Sequence, residues 1–111
     1  MMRWFLAAAA MSLACSASAG VTGKTLVIRQ TVTDYAKWRP IYDAHRAVRA
    51  SSGLSNCRVQ SSDGDVNDVV VICDMADVAK GKAFASSKSL AEAMARAGVV
   101  GKPSFYFLTG H

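Results

Sequence analysis

The chain has 111 residues, 51% of them hydrophobic and 19% charged, with a formal net charge of +5. It is too short for two ordinary domains and too rich in hydrophobic residues for a disordered polymer. No apolar run reaches the roughly 18 residues that a membrane span needs, no repeat period recurs, and no basic run suggests nucleic acid as a partner.

Residues 1–19 read as a secretory signal peptide. Arg3 precedes an apolar stretch from Trp4 to Ala14, and Ala17-Ser18-Ala19 supplies the small residues of a cleavage site, with Gly20 as the new N-terminus. This pattern predicts a periplasmic or secreted protein; the alternative is a buried N-terminal helix. Leu13-Ala14-Cys15 partly matches a lipoprotein box, which would attach a lipid at Cys15. That box wants a branched apolar residue three places before the cysteine, where Ser12 stands, so a soluble exported chain is preferred. The remaining residues, 20–111, form one domain. A domain of this size buries only about 60–68% of its unfolded surface, so added support is expected.

The β-branched run Thr25–Val32 predicts a strand. Asp34, or else Thr33, caps a helix from Tyr35 to about Ser52, whose apolar stripe is Trp38, Ile41, Tyr42, His45 and Val48. Pro40 forces either a separate turn over 34–38 or a bend, and Gly53 ends the helix. Cys57–Ser61 and Val69–Cys73 make an antiparallel hairpin around a loop at 62–68. Asp77 opens a short helix through Val78, Ala79, Ala83 and Phe84. Ser87 caps the next, through Leu90, Ala91, Met94 and Ala97, ended by Gly98. Pro103 precedes a last strand, Ser104–Leu108. The order β-α-β-β-α-β is that of a ferredoxin-like α+β sandwich, an antiparallel sheet with helices on one face.

Val69–Ile72 and Phe105–Leu108 do not alternate apolar with polar, so both faces of these strands need cover. Helices cover one face, and a second copy of the chain is the simplest cover for the other. This predicts a homodimer. Against it stand Arg29, Thr31, Arg58 and Gln60, which would make the open face polar enough for a monomer.

Cys57 and Cys73 are the two cysteines of the exported domain. A hairpin register that opposes Val59 to Val71 and Ser61 to Val69 also opposes these two, and a cross-strand disulfide would suit an oxidising compartment. A slipped register would leave two buried free thiols instead. Asp63, Asp65, Asn67 and Asp68 begin like a calcium loop, but Asp68 occupies the place of the required glycine. A charged hairpin turn is the reading, and no metal is expected. No phosphate-binding loop, GxSxG, HExxH or dinucleotide fingerprint is present.

The segments Asp34–His45, Gly53 and Ala93–Pro103 resemble a small-protein branch of the dimeric α+β barrel superfamily, which includes antibiotic-biosynthesis-monooxygenase-like proteins. The resemblance spans about 25–108. It implies two sheets joined into one barrel and a ligand cleft between helices and sheet. The superfamily includes cofactor-free oxygenases, isomerases, haem-degrading enzymes and members without known activity. In such a cleft His45 is the candidate base for a phenol or enol, since histidine titrates near neutrality. Tyr42 would donate a hydrogen bond and Trp38 would stack on a flat ring; the alternative is that all three only pack the core. Arg49 either holds an anionic substituent or is an ordinary solvated or ion-paired side chain. No cofactor is expected. Haem degradation fits poorly, because Gln30 stands where that branch carries an asparagine, Trp38 lies on a helix rather than a strand, and no CxxCH occurs. The expected function is binding of a small, flat, apolar ligand, with oxidation or isomerisation of it; the alternative is a non-catalytic binding or interaction module.

Overall fold

The computed structural model describes residues 23–111; the signal-like segment, its cleavage pattern and Cys15 lie outside the described residues. Four strands and four helices follow as β1 (Lys24–Val32), α1 (Tyr35–Ala44), α2 (Arg46–Ser51), β2 (Leu54–Ser62), β3 (Asp65–Met75), α3 (Val78–Ala85), α4 (Lys88–Arg96) and β4 (Val99–Thr109). The sheet order is β2-β3-β1-β4, with all neighbours antiparallel. This is the ferredoxin-like βαββαβ sandwich, with each helical connection split into two segments.

Burial follows the pleat. Leu26, Ile28, Gln30 and Val32 of β1 alternate with more accessible residues, as do Val69, Val71, Cys73 and Met75 of β3. These inward residues meet Trp38, Phe84, Leu90 and Ala97 from the helices to form one core. The opposite face carries Val27, Val70 and Ile72, half-buried, beside Tyr106 and Leu108, each 49% exposed.

Helix ends are built as the sequence suggests. Asp34 accepts a hydrogen bond from the Ala36 N–H, Asp77 accepts from Ala79 and Lys80, and Ser87 accepts from Leu90. Gly98 ends α4 at φ +80 and its carbonyl accepts the Thr33 N–H at 3.0 Å, tying that helix end to the end of β1.

Three expectations need correction. The single helix 35–52 is two helices, and the break falls at His45 rather than at Pro40. Pro40 withholds only the bond to the Ala36 carbonyl; both residues are exposed, so water can serve that carbonyl. The hairpin loop is not 62–68 but the two-residue turn Asp63-Gly64, and the strands run further. The surplus residues are absorbed as a bulge on β3, since Ser61 pairs with Val69 while Ser62 pairs with Asp65. There the Asp65 carboxylate accepts the Asn67 N–H, and the Asn67 side-chain oxygen accepts the Tyr35 N–H at 2.9 Å, docking the bulge on the start of α1. Asp68 takes a two-pronged hydrogen bond from Arg29, at 3.1 and 2.7 Å, and a third from Ser62. Those bonds pull its carboxyl down to about 2. The last strand also begins earlier than 104, at Val99.

The anticipated register holds where it matters. Val59 opposes Val71, Ser61 opposes Val69, and Cys57 is joined to Cys73 by a disulfide with Cα atoms 4.0 Å apart. The irregularity between Ser55 and Arg58, with Asn56 at φ 49, lies just before Cys57.

Candidate functional site

A cleft of about 40 Å³ opens between the helices and the sheet. Its floor is Ile28, Gln30 and Val71 from β1 and β3; its walls are Trp38, Tyr42, His45 and Arg49 on one side and Phe84, Leu90 and Met94 on the other. Helical spacing of three to four residues puts Trp38, Tyr42, His45 and Arg49 on one stripe, and the α1–α2 break does not disturb it.

His45 sits at the joint between α1 and α2. Its N–H bonds the Ile41 and Tyr42 carbonyls, both at 3.2 Å, and its carbonyl accepts the Arg49 N–H. The ring is half-buried, its Nε2 lies 2.9 Å from the Ser89 hydroxyl of α4, and it tilts against Phe84 of α3 at 6.0 Å. Desolvation, reinforced by the positive charges of Arg49 and Arg96, pushes its pKa below the ordinary 6.5. The imidazole is therefore neutral at pH 7 and keeps one nitrogen able to accept a proton.

Trp38 and Tyr42 stack on each other, with centroids 4.9 Å apart and planes 19° apart. The guanidinium of Arg49 lies over the Tyr42 ring at 3.7 Å and donates to the Tyr42 carbonyl at 2.6 Å. Two sequence readings change here. Trp38 is only 3% exposed and is already stacked on Tyr42, so it offers a ligand little bare ring face. Arg49 is neither solvated nor ion-paired: it is 8% exposed, and its partner is an aromatic ring and a carbonyl. Burial also raises the Tyr42 hydroxyl pKa, against the opposing pull of Arg49 and Arg39, so it remains a donor near neutrality.

Gln30, on the floor of the cleft, was read in the sequence only as a departure from an asparagine, and Ser89, which meets His45 from outside the cleft lining, was not read at all. Gln30 is 5% exposed, and its side-chain oxygen has no hydrogen-bond partner among the described residues. The signal was available: in the inward series Leu26, Ile28, Gln30, Val32 it is the only polar residue. Ser89 had no such signal, because its meeting with His45 depends on how α4 packs against the α1–α2 joint. Among the described residues no cluster of three or more histidine, cysteine or acidic side chains is placed to hold a metal ion, and no helix is long and apolar enough to cross a membrane.

Fold and cleft together define a small α+β protein with one open sheet and a mostly apolar helix–sheet cleft carrying one neutral histidine. No family model and no curated protein matches the sequence. Solved structures match throughout the fold. A putative antibiotic biosynthesis monooxygenase from Bordetella bronchiseptica is 13% identical, with a TM-score of 0.66 over 81% of this chain and 99% of that one. The ActVA-Orf6 monooxygenase of Streptomyces coelicolor, solved with nanaomycin D, is 18% identical, with a TM-score of 0.57 over 88% and 95%. SnoaB from Streptomyces nogalater, a cofactor-independent oxygenase, is 16% identical, with a TM-score of 0.59 over 75% and 89%. The chain thus has the small ferredoxin-like α+β fold of these monooxygenase structures.

Proposed function

We propose that this chain is exported, pairs with itself into a dimeric α+β barrel, and binds a small, flat, largely apolar ligand in the helix–sheet cleft. There it acts without a cofactor as an oxygenase or isomerase. The single observation that carries this reading is a neutral histidine facing an apolar cleft beside a buried, unpartnered acceptor. Such a cleft suits a ligand that brings its own hydroxyl: one hydroxyl donates to Gln30, and His45 takes the proton of a phenol or enol. The resulting anion is electron-rich, which is what reaction with dioxygen, or reprotonation at another carbon, requires. Ser89 holds the ring's orientation, Tyr42 and Trp38 form the wall, and Arg49 adds positive charge near the developing anion. Relatives in fold described as cofactor-independent oxygenases support this reading, as does a ferredoxin-like structure from Bacteroides fragilis described as dimeric. Export rests on the leader-like residues 1–19, and the Cys57–Cys73 disulfide is consistent with an oxidising compartment.

The test is oxygen uptake by the processed protein with a naphthohydroquinone. The expected rate exceeds the buffer rate and falls about 10²–10⁴-fold in His45→Ala. Because the neutral ring is the active form, the rate is lost as pH falls through a midpoint below 6.5 and is flat above it. An unchanged rate in His45→Ala removes the base from this reading.

A second reading has its own support. At about 40 Å³ the cleft is far smaller than the roughly 300–1,000 Å³ of sites that enclose drug-sized ligands. For catalysis the two-segment helices must part to admit a ring system. If they do not, the protein is a non-catalytic binding or interaction module, and no naphthol will shift the resonances of Gln30, His45 or Phe84.

A further inference from the structure

A second, larger hollow lies outside this cleft. A groove of about 520 Å³ runs between α1–α2 and the edge strand β2, within the size range of small-molecule sites. Four arginines line it: Arg39, Arg46 and Arg49 from the helices and Arg58 from β2; Asp43 is its only acid. Arg39 is engaged by Asp43 at 3.0 Å and by the Tyr35 hydroxyl. The other three have no carboxylate partner among the described residues. Arg49 is the most telling of them. It is nine-tenths buried, its guanidinium donates to the Tyr42 carbonyl, and its own pKa is depressed by burial. Four guanidinium groups facing a single carboxylate repel one another on balance, and a buried one is costly unless something negative answers it.

We infer that this groove is an anion site, taking a small molecule that carries a phosphate or paired carboxylates. The chemistry follows from the donors. Guanidinium forks match planar and tetrahedral oxyanions with two parallel hydrogen bonds each, which lysines would not do. Arg49 is fixed over the Tyr42 ring at 3.7 Å with one Nη given to the Tyr42 carbonyl, leaving its remaining N–H donors available, and Arg46 of α2 and Arg58 of β2 line the opposite walls. Tyr42 and Arg49 line both hollows, so an anion here would also sit within one side chain of the cleft.

Isothermal titration and amide chemical-shift mapping on the processed protein test this, with pyrophosphate and citrate as probes against sodium chloride of equal ionic strength. Arg46→Gln and Arg58→Gln are the variants, because both side chains are exposed and neither belongs to the cleft. Saturable binding of either probe is expected, with shifts confined to residues 39–50 and 54–59. Each substitution should weaken binding about tenfold, the equivalent of one charge-assisted hydrogen bond. His45→Ala should leave it unchanged, which separates this site from the proposed base. Preference for one probe identifies which oxyanion the site favours. No binding beyond chloride, equal binding in the double variant, or a change of oligomeric state in that variant in place of lost binding would each overturn the assignment.

Discussion

Gln30 concentrates the physical logic of the cleft in one side chain. A buried acceptor without a partner costs about 1–3 kcal/mol, and among the described residues no donor offsets it. Replacing it by methionine keeps the length and removes the orphan. Gln30→Met is therefore expected to raise unfolding stability by about 1 kcal/mol in urea titration. The same substitution should weaken binding of 2-naphthol while leaving naphthalene, which has no hydroxyl to donate, unaffected. A loss of stability, or equal effects on the two probes, would mean that Gln30 is satisfied by water and has no part in recognition. At this scale the sequence was legible in part. The stripe Trp38, Ile41, Tyr42, His45 and Val48 follows from helical spacing; all but Val48 line the cleft, as does Arg49 one turn beyond His45. Their mutual arrangement does not follow from spacing. That Tyr42 shares contacts with Trp38 and Arg49, and that His45 finds Ser89, depends on packing distances that no one-dimensional pattern encodes.

At the scale of elements, the β2–β3 hairpin shows what sequence can and cannot reveal. Its register was readable because the period of two fixes partners once one pair is chosen, and choosing Val59 with Val71 also brings Cys57 to Cys73. Its turn was misread because Val66, Asn67 and Asp68 look like loop residues. They bulge away from β2 but remain strand, with Asp68 still opposite Thr31 of β1, and their side chains find partners distant in sequence: Asn67 the Tyr35 N–H on α1, Asp68 the Arg29 guanidinium on β1. The helix break was misread for a related reason, since proline is the conspicuous residue but an exposed proline disturbs little. The disulfide carries an expectation of its own. It closes a loop of 16 residues and spans from half-buried Cys57 to Cys73, which is 1% exposed. The double variant Cys57→Ala, Cys73→Ala should lose about 3 kcal/mol in urea unfolding, and reduction of the wild type should lose a comparable amount. A loss below about 1 kcal/mol would show that the reduced chain already holds these strands together.

For the molecule as a whole, the decisive surface is the sheet face turned away from the helices. Val27 lies between Ile72 of β3 and Tyr106 of β4, and Thr25 pairs with Leu108, so the apolar residues are contiguous. The polar residues that argued for a monomer share this face: Arg58 and Gln60 on the edge strand β2, and Arg29 and Thr31 on β1, with Arg29 drawn onto Asp68. An apolar strip running from β3 across β1 to β4 would suit the proposed interface with a second copy. It also explains how a domain this small could gain the burial it lacks alone. Sedimentation of the processed chain at micromolar concentration should therefore give a dimer. Ile72→Lys with Tyr106→Glu should give a monomer that keeps its far-ultraviolet dichroism and melts at a lower temperature, independent of protein concentration. The helix-side cleft lies across the sheet from this face, so the monomeric variant separates two roles of the fold. If 2-naphthol still shifts the Gln30 and His45 resonances in the monomer, the cleft is complete within one subunit. If the signals vanish with the dimer, the second sheet is what holds the floor of the cleft, β1 and β3, rigid enough to bind.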